Sequence, residues 1–280
     1  MAKTSFLQRF KVLPGKKIHL AEIDTDATPG YKNKQEAKAD LADCLQRLRD
    51  LQYLLYAENK RSLLIVLQGL DASGKDGTIR HVLGYMNPQG CRVTSFKVPT
   101  EEEAAHDFLW RVHKAAPGRR QVAIFNRSHY EDVLVVRVHK LVPKSVWEKR
   151  YDQINEFERL LADNGTHILK FFLHISPEEQ LRRFRKRLEN PKKRWKISEA
   201  DYSERKYWHD YQQAYEDALS RCSRDHAPWF VIPADKKWFR NLAISQIVVE
   251  SLESLKMQWP NPQVDLDLIR LKYHEAVENS

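Results

Sequence analysis

The segment from Gly69 to Lys75 has the spacing G-x-x-x-x-G-K, which is typical of a loop that binds phosphate. Glycines let backbone amides turn inward around phosphate oxygens, and the start of a following helix adds positive potential. Lys75 supplies a mobile cation beside these amides. An ordinary glycine turn is the alternative interpretation. The residues that we predict to bind phosphate in this loop are Gly69, Ala72, Ser73, Gly74, Lys75 and Asp76.

Two carboxylates in this segment distinguish it from a simple nucleotide hydrolase. Asp76 stands where the usual motif has the Ser or Thr whose hydroxyl contacts Mg²⁺. Asp71 lies among phosphate-binding amides, where it repels a phosphate unless a cation lies between the two. We therefore predict that Asp71 faces Mg²⁺, with Mn²⁺ as a substitute, and a role for Asp71 as a loop cap is the alternative.

A second polar segment, FNRSHYEDV, follows the apolar run at 122–125. A metal-binding Asp usually ends this strand in enzymes with a phosphate loop, and here the position holds Asn126. Metal ligation is then left to Asp71, Glu131 or Asp132. We predict Asp71 and Asp132 as the metal ligands, with Glu131 and Asp132 also near a bound nucleotide.

Arg127 follows Asn126 directly and carries a planar fork of donors, which suits a phosphoryl group that is being transferred. A structural ion pair with Glu131 is the competing interpretation. His129 is close by in sequence, but a single His beside Arg and Glu is more often a hydrogen-bonding scaffold, so we do not assign it to catalysis.

Basic residues concentrate in the segment 182–200, which we call the basic lid. Such a segment can close over phosphates and exclude water from the donor. A solvated basic helix is one alternative, and nucleic-acid binding is another, although Trp195 is the only aromatic side chain in 185–200 and offers bases little to stack on. The predicted phosphate-binding residues of the basic lid are Arg183, Arg187, Lys193, Arg194 and Lys196.

The elements that position these residues alternate between strands and helices. Apolar runs with the character of buried strands occur at 62–68, 122–125 and 229–232, with further strands in CRVTSF and ILKFFLHI. Such alternation predicts an α/β fold with a doubly wound, parallel, five-stranded sheet, whose ligand crevice lies at the carboxyl ends of the strands.

Helix signals lie between these strands. Leucines at helical spacing predict an amphipathic helix over 36–58, and a capping box of Thr100 with Glu103 predicts a helix through about residue 114. Ser145 with Glu148 is a second capping signal, and Ser176 starts a helix that runs to about Asn190. Residues 1–35 resemble an irregular arm.

Composition limits the class of protein. The 280 residues suit one large α/β domain, and the formal net charge of +9 with a pI near 9.3 favours anionic partners. Three cysteines without a C-x-x-C pair are typical of reduced thiols, and no apolar run is long enough for a signal peptide or a membrane span. We therefore expect a cytoplasmic protein that binds neither membranes nor nucleic acid.

Eight ordered blocks between residues 36 and 257 resemble the polyphosphate kinase 2 family, most closely its one-domain members that phosphorylate nucleoside mono- and diphosphates. The blocks are GLDASGKDGTIR, NPQG, SFKVPTEEE, DFLWR, FNRSHYEDVLVVRV, LKFFLHISPEEQ, NPKKRWKIS and APWFVIPADKKWFRN.

This resemblance implies a P-loop kinase fold similar to thymidylate kinase, Mg²⁺ dependence, and assembly as a dimer or tetramer. It also implies transfer of a phosphoryl group from inorganic polyphosphate to AMP or ADP, with GMP and GDP as further acceptors. Asn126 departs from the Asp of other members, so the metal ligands are open at this point. The family's site positions fall here on Asp71, Lys75, Arg127, Arg183, Arg187 and Lys196.

The sequence thus predicts a phosphotransferase domain at 36–257, an arm at 1–35 and a tail at 258–280. We expect in-line transfer, with the donor on the loop and the acceptor near Asn126 and Arg127. An ATP-dependent nucleoside monophosphate kinase and a basic nucleic-acid-binding protein are the alternatives. The predicted catalytic residues are Asp71, Lys75, Asn126, Arg127 and Asp132, and those for the nucleotide are Arg127, Glu131 and Asp132.

Overall fold

A computed structural model of the chain describes residues 5–279. Its centre is a sheet of five parallel strands in the order β2-β3-β1-β4-β5, so all five predicted strands and the predicted fold class are confirmed. The strands are β1 (Ser62–Gln68), β2 (Cys91–Ser95), β3 (Val122–Asn126), β4 (Thr166–His174) and β5 (Trp229–Pro233).

Twelve α-helices accompany the sheet in the described part of the chain. Short 3₁₀ helices at His129–Asp132 and Pro191–Lys196 complete the segments that matter for the site. The α-helices are α1 (Phe6–Phe10), α2 (Ala37–Glu58), α3 (Lys75–His81), α4 (Glu101–Ala104), α5 (Trp110–Ala115), α6 (Val135–Val138), α7 (Lys144–Asp163), α8 (Pro177–Glu189), α9 (Glu199–Ser203), α10 (Trp208–Cys222), α11 (Lys237–Ser254) and α12 (Leu266–Glu278).

The central strand β1 is buried along its whole length, as its continuous apolar run predicts. Because side chains alternate between the two faces of a strand, β1 contributes to two hydrophobic layers. Leu63 and Ile65 face the layer formed by α2 and α11, and Leu64 and Val66 face the layer formed by α7 and α10. Helices therefore cover both faces of the sheet and leave its carboxyl edge for ligands.

The N-terminal segment packs on the outer strand β5 instead of extending into solvent. The Val12 amide donates to the Trp229 carbonyl at 2.8 Å, and Lys11 forms an antiparallel bridge with Phe230. Leu20 is fully buried in the core. This segment covers the backbone edge that β5 would otherwise expose, which protects the sheet from pairing with another chain.

Helix α12 is exposed at every residue the structure describes in it, although it carries several large apolar side chains. Neither α12 nor any other helix among residues 5–279 has the length and apolar character needed to cross a membrane. The boundaries proposed from sequence for the arm, the domain and the tail stay predictions.

Two helix predictions were wrong in detail. The helix expected from Thr100 to about residue 114 is divided into α4 and α5, because the Asp107 side chain accepts from the Leu109 amide at 2.9 Å and starts a new turn. The capping box at Thr100 itself is present. Ser145 does not cap α7, because that helix begins at Lys144, directly after Pro143.

A charged network lies in the core where no sequence signal placed one. Lys170 of β4 is fully buried and donates to Glu158 of α7 at 2.5 Å, to the Tyr130 hydroxyl at 2.8 Å and to the Cys222 carbonyl at 2.7 Å. His129 contacts the same carboxylate at 3.1 Å. The network thereby connects β4, α7, the end of α10 and the 3₁₀ helix that follows β3.

We predict that Lys170→Met lowers the free energy of unfolding by about 3–5 kcal/mol, because it leaves the Glu158 carboxylate buried without its lysine partner. The double variant Lys170→Met/Glu158→Gln removes both charges and should recover about half of the loss. Urea unfolding measures both changes, with exposed Arg185→Gln as a control. Equal losses in the single and double variants would contradict this account.

Candidate phosphate-binding site

The loop between β1 and α3 has an unusual backbone. Gly69 and Gly74 have φ angles of 147° and 114°, and Ala72 is left-handed with φ at 61°. A Cβ on Gly69 would lie 2.8 Å from the Leu173 carbonyl oxygen, so only glycine fits there. A left-handed residue with a side chain costs about 1 kcal/mol, and the surrounding contacts must therefore hold this shape.

Those contacts come from α8, behind the loop. Arg183 Nη1 donates to the carbonyl oxygens of Ala72 and Ser73 at 2.7 and 2.8 Å, and Gln180 Nε2 donates to that of Asp71 at 2.9 Å. In the described chain, the amides of Ala72, Gly74 and Lys75 donate no hydrogen bond. The carbonyls are thus occupied on one side of the loop, and the amides are available to a phosphate on the other.

Arg183 therefore differs from the prediction that placed it in the basic lid. Its side chain is only 5% exposed and forms an ion pair with Glu179 at 2.7 Å. Nη2 adds hydrogen bonds to the carbonyls of Ala234 and Asp235. The sequence spacing places Arg183 one turn from Arg187, but helix α8 turns Arg183 inward, where it supports the loop and has no donor left for an incoming phosphate.

Lys75 is buried at the start of α3. Its Nζ donates to the carbonyls of Gly69 at 2.7 Å and Leu70 at 3.4 Å, so it makes no ion pair within the described residues. Burial, and then the neighbouring Arg127, lower the pKa of Lys75, while the nearby carboxylates, Asp71 first, oppose that effect. A phosphate oxygen is the stronger acceptor and can replace these carbonyls without moving the helix.

Arg127 lies at the end of β3, beside the loop. Its backbone is left-handed, with φ at 63°, and its amide continues the sheet by donating to the Leu67 carbonyl at 3.1 Å. Nη2 lies 3.0 Å from Asp71 Oδ1, and Nη1 lies 3.8 Å from Glu131 Oε2. The structural pair with Glu131 is thus present, but Asp71 is the closer partner.

Asp76 joins three parts of the site. Asn126 Nδ2 donates to Asp76 Oδ1 at 3.0 Å, and Lys196 Nζ lies 3.2 Å from Oδ2. Burial raises the pKa of Asp76, but the hydrogen bonds from Asn126 and Lys196 outweigh burial and lower it overall. The carboxylate at the position of the usual hydroxyl therefore connects α3, β3 and the basic lid.

Glu131 and Asp132 point to different surroundings. Burial raises the pKa of Glu131, and Arg127 and Lys75 oppose that rise, so Glu131 belongs to the charges around the loop. Asp132 instead pairs with Arg150 at 3.0 Å; burial raises the pKa of Asp132, and Arg150 and then Arg111 oppose that rise. The structure does not bring Asp132 together with Asp71.

Within residues 5–279, no cluster of three or more His, Cys, Asp or Glu residues is arranged to hold a metal ion. Mg²⁺ usually binds one or two carboxylates, with water and substrate phosphates completing its shell, so a dedicated cage is not needed. Asp71 is part-exposed beside the loop and suits such a site. Its role as a ligand, and that of Asp132, stay predictions.

The part of the basic lid that lies outside a long helix is shorter than 182–200, because α8 continues to Glu189. Arg187 is part-buried and donates to the Lys196 carbonyl at 3.0 Å, and Arg194 Nε donates to the Leu188 carbonyl at 2.9 Å. Lys193 is exposed. Within the turn Pro191–Lys196, Lys196 is the cation that pairs with Asp76, at the start of α3. Arg187 therefore supports the exposed turn, which presents its other charges to solvent.

Other side chains behave as the sequence predicts. His129 is fully buried against Glu158, which confirms its interpretation as a scaffold. Tyr211 and Tyr215 of α10 lie in the hydrophobic core beside the sheet. Tyr215 also approaches Gln68, the last residue of β1, with 3.4 Å between its hydroxyl and Gln68 Oε1.

Two polar residues behind the site had no assigned role. Gln68 ends the apolar strand β1 and donates to Ser128 Oγ at 3.1 Å. A polar residue at the carboxyl end of such a strand was the sequence signal that could have identified Gln68. Arg240 is 1% exposed and lies 3.4 Å from the Ser73 carbonyl. The signal for Arg240 was its place as the one charged residue in the apolar stretch 238–249 of α11.

Comparison with known proteins adds a family and several relatives. The family model described as "Polyphosphate kinase 2 (PPK2)" matches residues 31–260. An "AMP/ADP-polyphosphate phosphotransferase" of Meiothermus ruber is 54% identical over 92% of this chain and 97% of its own. An "ADP-polyphosphate phosphotransferase" of Rhodopseudomonas palustris is 47% identical over 90% of this chain and 92% of its own.

A solved structure agrees with these sequence matches. The crystal structure of polyphosphate kinase 2 from Arthrobacter aurescens TC1 superposes with a TM-score of 0.94 and 42% identity, covering 98% of each chain. A likeness of this extent includes the sheet, the loop and the segment that forms the basic lid.

We predict that Asp76→Asn loosens the exposed turn Pro191–Lys196, because the Lys196 ammonium loses its charged partner. An exposed ion pair contributes at most about 1 kcal/mol, so hydrogen exchange of the Lys193 and Ile197 amides should quicken by up to about fivefold. Mass-spectrometric exchange without ligands measures this effect, with Asp267→Asn as the control. Unchanged rates would show that Asp76 does not restrain the turn.

Proposed function

The chain belongs to the polyphosphate kinase 2 family, and from that premise we propose that it transfers the terminal phosphoryl group of inorganic polyphosphate to AMP or ADP, forming ADP or ATP. The observation that carries this conclusion is the 54% identity, over nearly the whole of both chains, to a protein named AMP/ADP-polyphosphate phosphotransferase. GMP and GDP are further acceptors in the proposal, and the enzyme works in the cytoplasm as a dimer or tetramer.

The donor end binds at the phosphate loop. Amides of Ala72, Gly74 and Lys75 surround the terminal phosphate, and Lys75 Nζ exchanges the Gly69 carbonyl for a phosphate oxygen. Transfer of a phosphoryl group needs little covalent chemistry from the protein, so positioning and charge stabilisation supply most of the rate. The outward amides and Lys75 position the terminal phosphate and stabilise its negative charge.

The acceptor phosphate lies opposite, at the end of β3. Asn126 donates from its amide, and Arg127 offers its guanidinium fork to the phosphoryl group in transit. Arg127 is held by Asp71 and Glu131 in the ligand-free chain, at 3.0 and 3.8 Å. Burial lowers the pKa of Arg127, but Glu131 and Asp71 outweigh burial and raise it, so its charge is permanent.

A divalent cation fits between Asp71 and the phosphates. Mg²⁺ bound there, or Mn²⁺ in its place, supplies neutralisation of the phosphate charge as the phosphoryl group moves. Asp71 is the proposed ligand, because Asp132 is held by Arg150 at 3.0 Å in different surroundings. If Asp71 held such a cation, Arg127 would lose its closer partner and could turn its guanidinium to the substrate.

The turn Pro191–Lys196 covers the site from the side of α8. Lys193, Arg194 and Lys196 carry cations into a region that phosphates enter, and closure of such a turn limits transfer to water. Arg187 anchors the turn from below through the Lys196 carbonyl. We therefore assign it a positioning role within the lid.

A donor assay tests this function against an ATP-dependent nucleoside monophosphate kinase. Purified protein is mixed with ADP, long-chain polyphosphate and Mg²⁺, without ATP, and ATP is followed by luminescence. We expect ATP that grows with the amount of polyphosphate and no ATP after EDTA. ATP formed equally well without polyphosphate would favour the alternative, since two ADP molecules then exchange a phosphoryl group. Repeating the assay with AMP, GMP and GDP defines the acceptors.

We predict that Asp71→Asn lowers kcat by about 100-fold or more, because the amide binds the cation poorly where transition-state charge develops. The free energy of unfolding should change by no more than about 1 kcal/mol, since the lost ion pair is part-exposed. Steady-state kinetics over a range of Mg²⁺ concentrations and urea unfolding measure these two effects.

Asp225→Asn is the matched control, because Asp225 forms an exposed ion pair with Lys11 far from the loop. It should keep kcat within twofold of the parent protein. Full activity in Asp71→Asn would exclude Asp71 as the cation ligand.

A further inference from the structure

Arg240, in the first turn of α11, is a buried charge without a charged partner. Its guanidinium donates to Asn241 Oδ1 from Nε at 3.2 Å and from Nη2 at 2.7 Å, and to the Ser73 carbonyl from Nη1 at 3.4 Å. Among the described residues it makes no ion pair. The neighbouring Arg183 differs, because Glu179 neutralises it at 2.7 Å.

A buried, uncompensated guanidinium destabilises the protein that carries it. Burial, and then Arg183, lower the pKa of Arg240 to about 9, so the group is still protonated at neutral pH. Its amide and carbonyl partners satisfy hydrogen bonds but carry no full negative charge. The nearest feature suited to supply that charge is the phosphate loop, whose Ser73 carbonyl Arg240 contacts from behind.

Helix α3 has glycine where Arg240 needs space. A Cβ on Gly77 would lie 3.1 Å from Arg240 Nη2, and one on Gly74 would lie 1.7 Å from Nη1. Gly74 is already required by its backbone angle, with φ at 114°. The backbone angles of Gly77, inside α3, do not require glycine, and a glycine inside a helix weakens it. The room left for the guanidinium is therefore independent support for a role of Arg240.

The charges around Arg240 form a net positive group. Lys237 lies one turn earlier in α11, and burial, followed by Arg183 and Arg240, lowers its pKa to about 8. The carboxylates that offset the three cations Arg183, Lys237 and Arg240 are two, Glu179 beside Arg183 and Lys237 and the more weakly acting Asp235 beside Arg183. Such an arrangement favours an anion on the far side of the loop.

We propose that Arg240 is a positioning residue for the phosphate donor: from behind the loop it holds the Ser73 carbonyl and adds an uncompensated positive charge that a bound phosphate chain offsets. This inference rests on the proposed function. It implies that Arg240 lowers the stability of the ligand-free protein and raises its affinity for the donor, which a purely structural arginine does not do.

The test replaces Arg240 by Met, which keeps length and apolar volume and removes the charge, while Arg183 still holds the Ser73 carbonyl at 2.8 Å. Binding of tripolyphosphate is measured by calorimetry, and Tm is measured with and without it. Arg270→Met is the control, because Arg270 pairs only with Asp267 on the exposed helix α12. Arg240→Lys keeps a charge at the same position.

We expect Arg240→Met to raise the Kd for tripolyphosphate and the KM for polyphosphate at least tenfold, with the KM for ADP within threefold of the parent value. The Tm of the ligand-free variant should equal or exceed that of the parent. Arg240→Lys should bind tripolyphosphate with intermediate affinity, and Arg270→Met should match the parent protein in all these measurements.

Two results would overturn the role of Arg240. One is unchanged tripolyphosphate affinity in Arg240→Met beside a parent protein that binds it. The other is a fall in Tm with parallel losses of donor and ADP affinity, which marks a structural residue. Failure of the parent protein to bind tripolyphosphate would instead contradict the proposed function and the inference together.

Discussion

The site depends on one constraint, which is that the carbonyl groups of the phosphate loop must be satisfied on the side away from the ligand. A loop that turns its amides toward a phosphate turns its carbonyls into the protein, where an unpaired carbonyl is costly. Arg183 satisfies those of Ala72 and Ser73, and Gln180 satisfies that of Asp71. The positive φ angles of Ala72, Gly69 and Gly74 give the connection from β1 to α3 the backbone shape that meets this requirement.

The second property of the site is that its cations and carboxylates are already paired before any ligand binds. Asp71 holds Arg127, and Asp76 holds Lys196. Phosphates must therefore compete with carboxylates for these cations. Lys75 is different, because it rests on carbonyl groups, which are weaker acceptors than a phosphate. The loop accordingly makes the first contact with a phosphate, and the paired cations Arg127 and Lys196 exchange their carboxylate partners afterwards.

Sequence patterns predicted the elements well where the pattern was local. All five strands, the loop and the cap of α8 follow from apolar runs, glycine spacing and Ser176. The direction in which a helical side chain points was harder to predict from the sequence. Arg183 and Arg187 have the spacing of one exposed face, but α8 packs against the loop, and that packing buries Arg183.

Long-range contacts were beyond the sequence for the same reason. No local pattern around Lys170 or Arg240 indicates Glu158 or Ser73 as its neighbour, since each contact depends on how two different elements pack, 12 residues apart for Glu158 and 167 for Ser73. Closeness in sequence was misleading for Asp132. Its place directly after Glu131 suggested that the two residues share a site, but the 3₁₀ helix His129–Asp132 directs the Asp132 side chain to Arg150.

The central claim is that a phosphoryl group passes directly from a donor on this loop to a bound nucleotide. A single-turnover reaction with polyphosphate carrying ³²P at its terminal phosphate, and with unlabelled ADP, tests it most directly. The account predicts that the label appears in the γ-phosphate of ATP within one turnover, with none attached to the protein. Labelled protein, or ATP without label, would contradict direct transfer from polyphosphate.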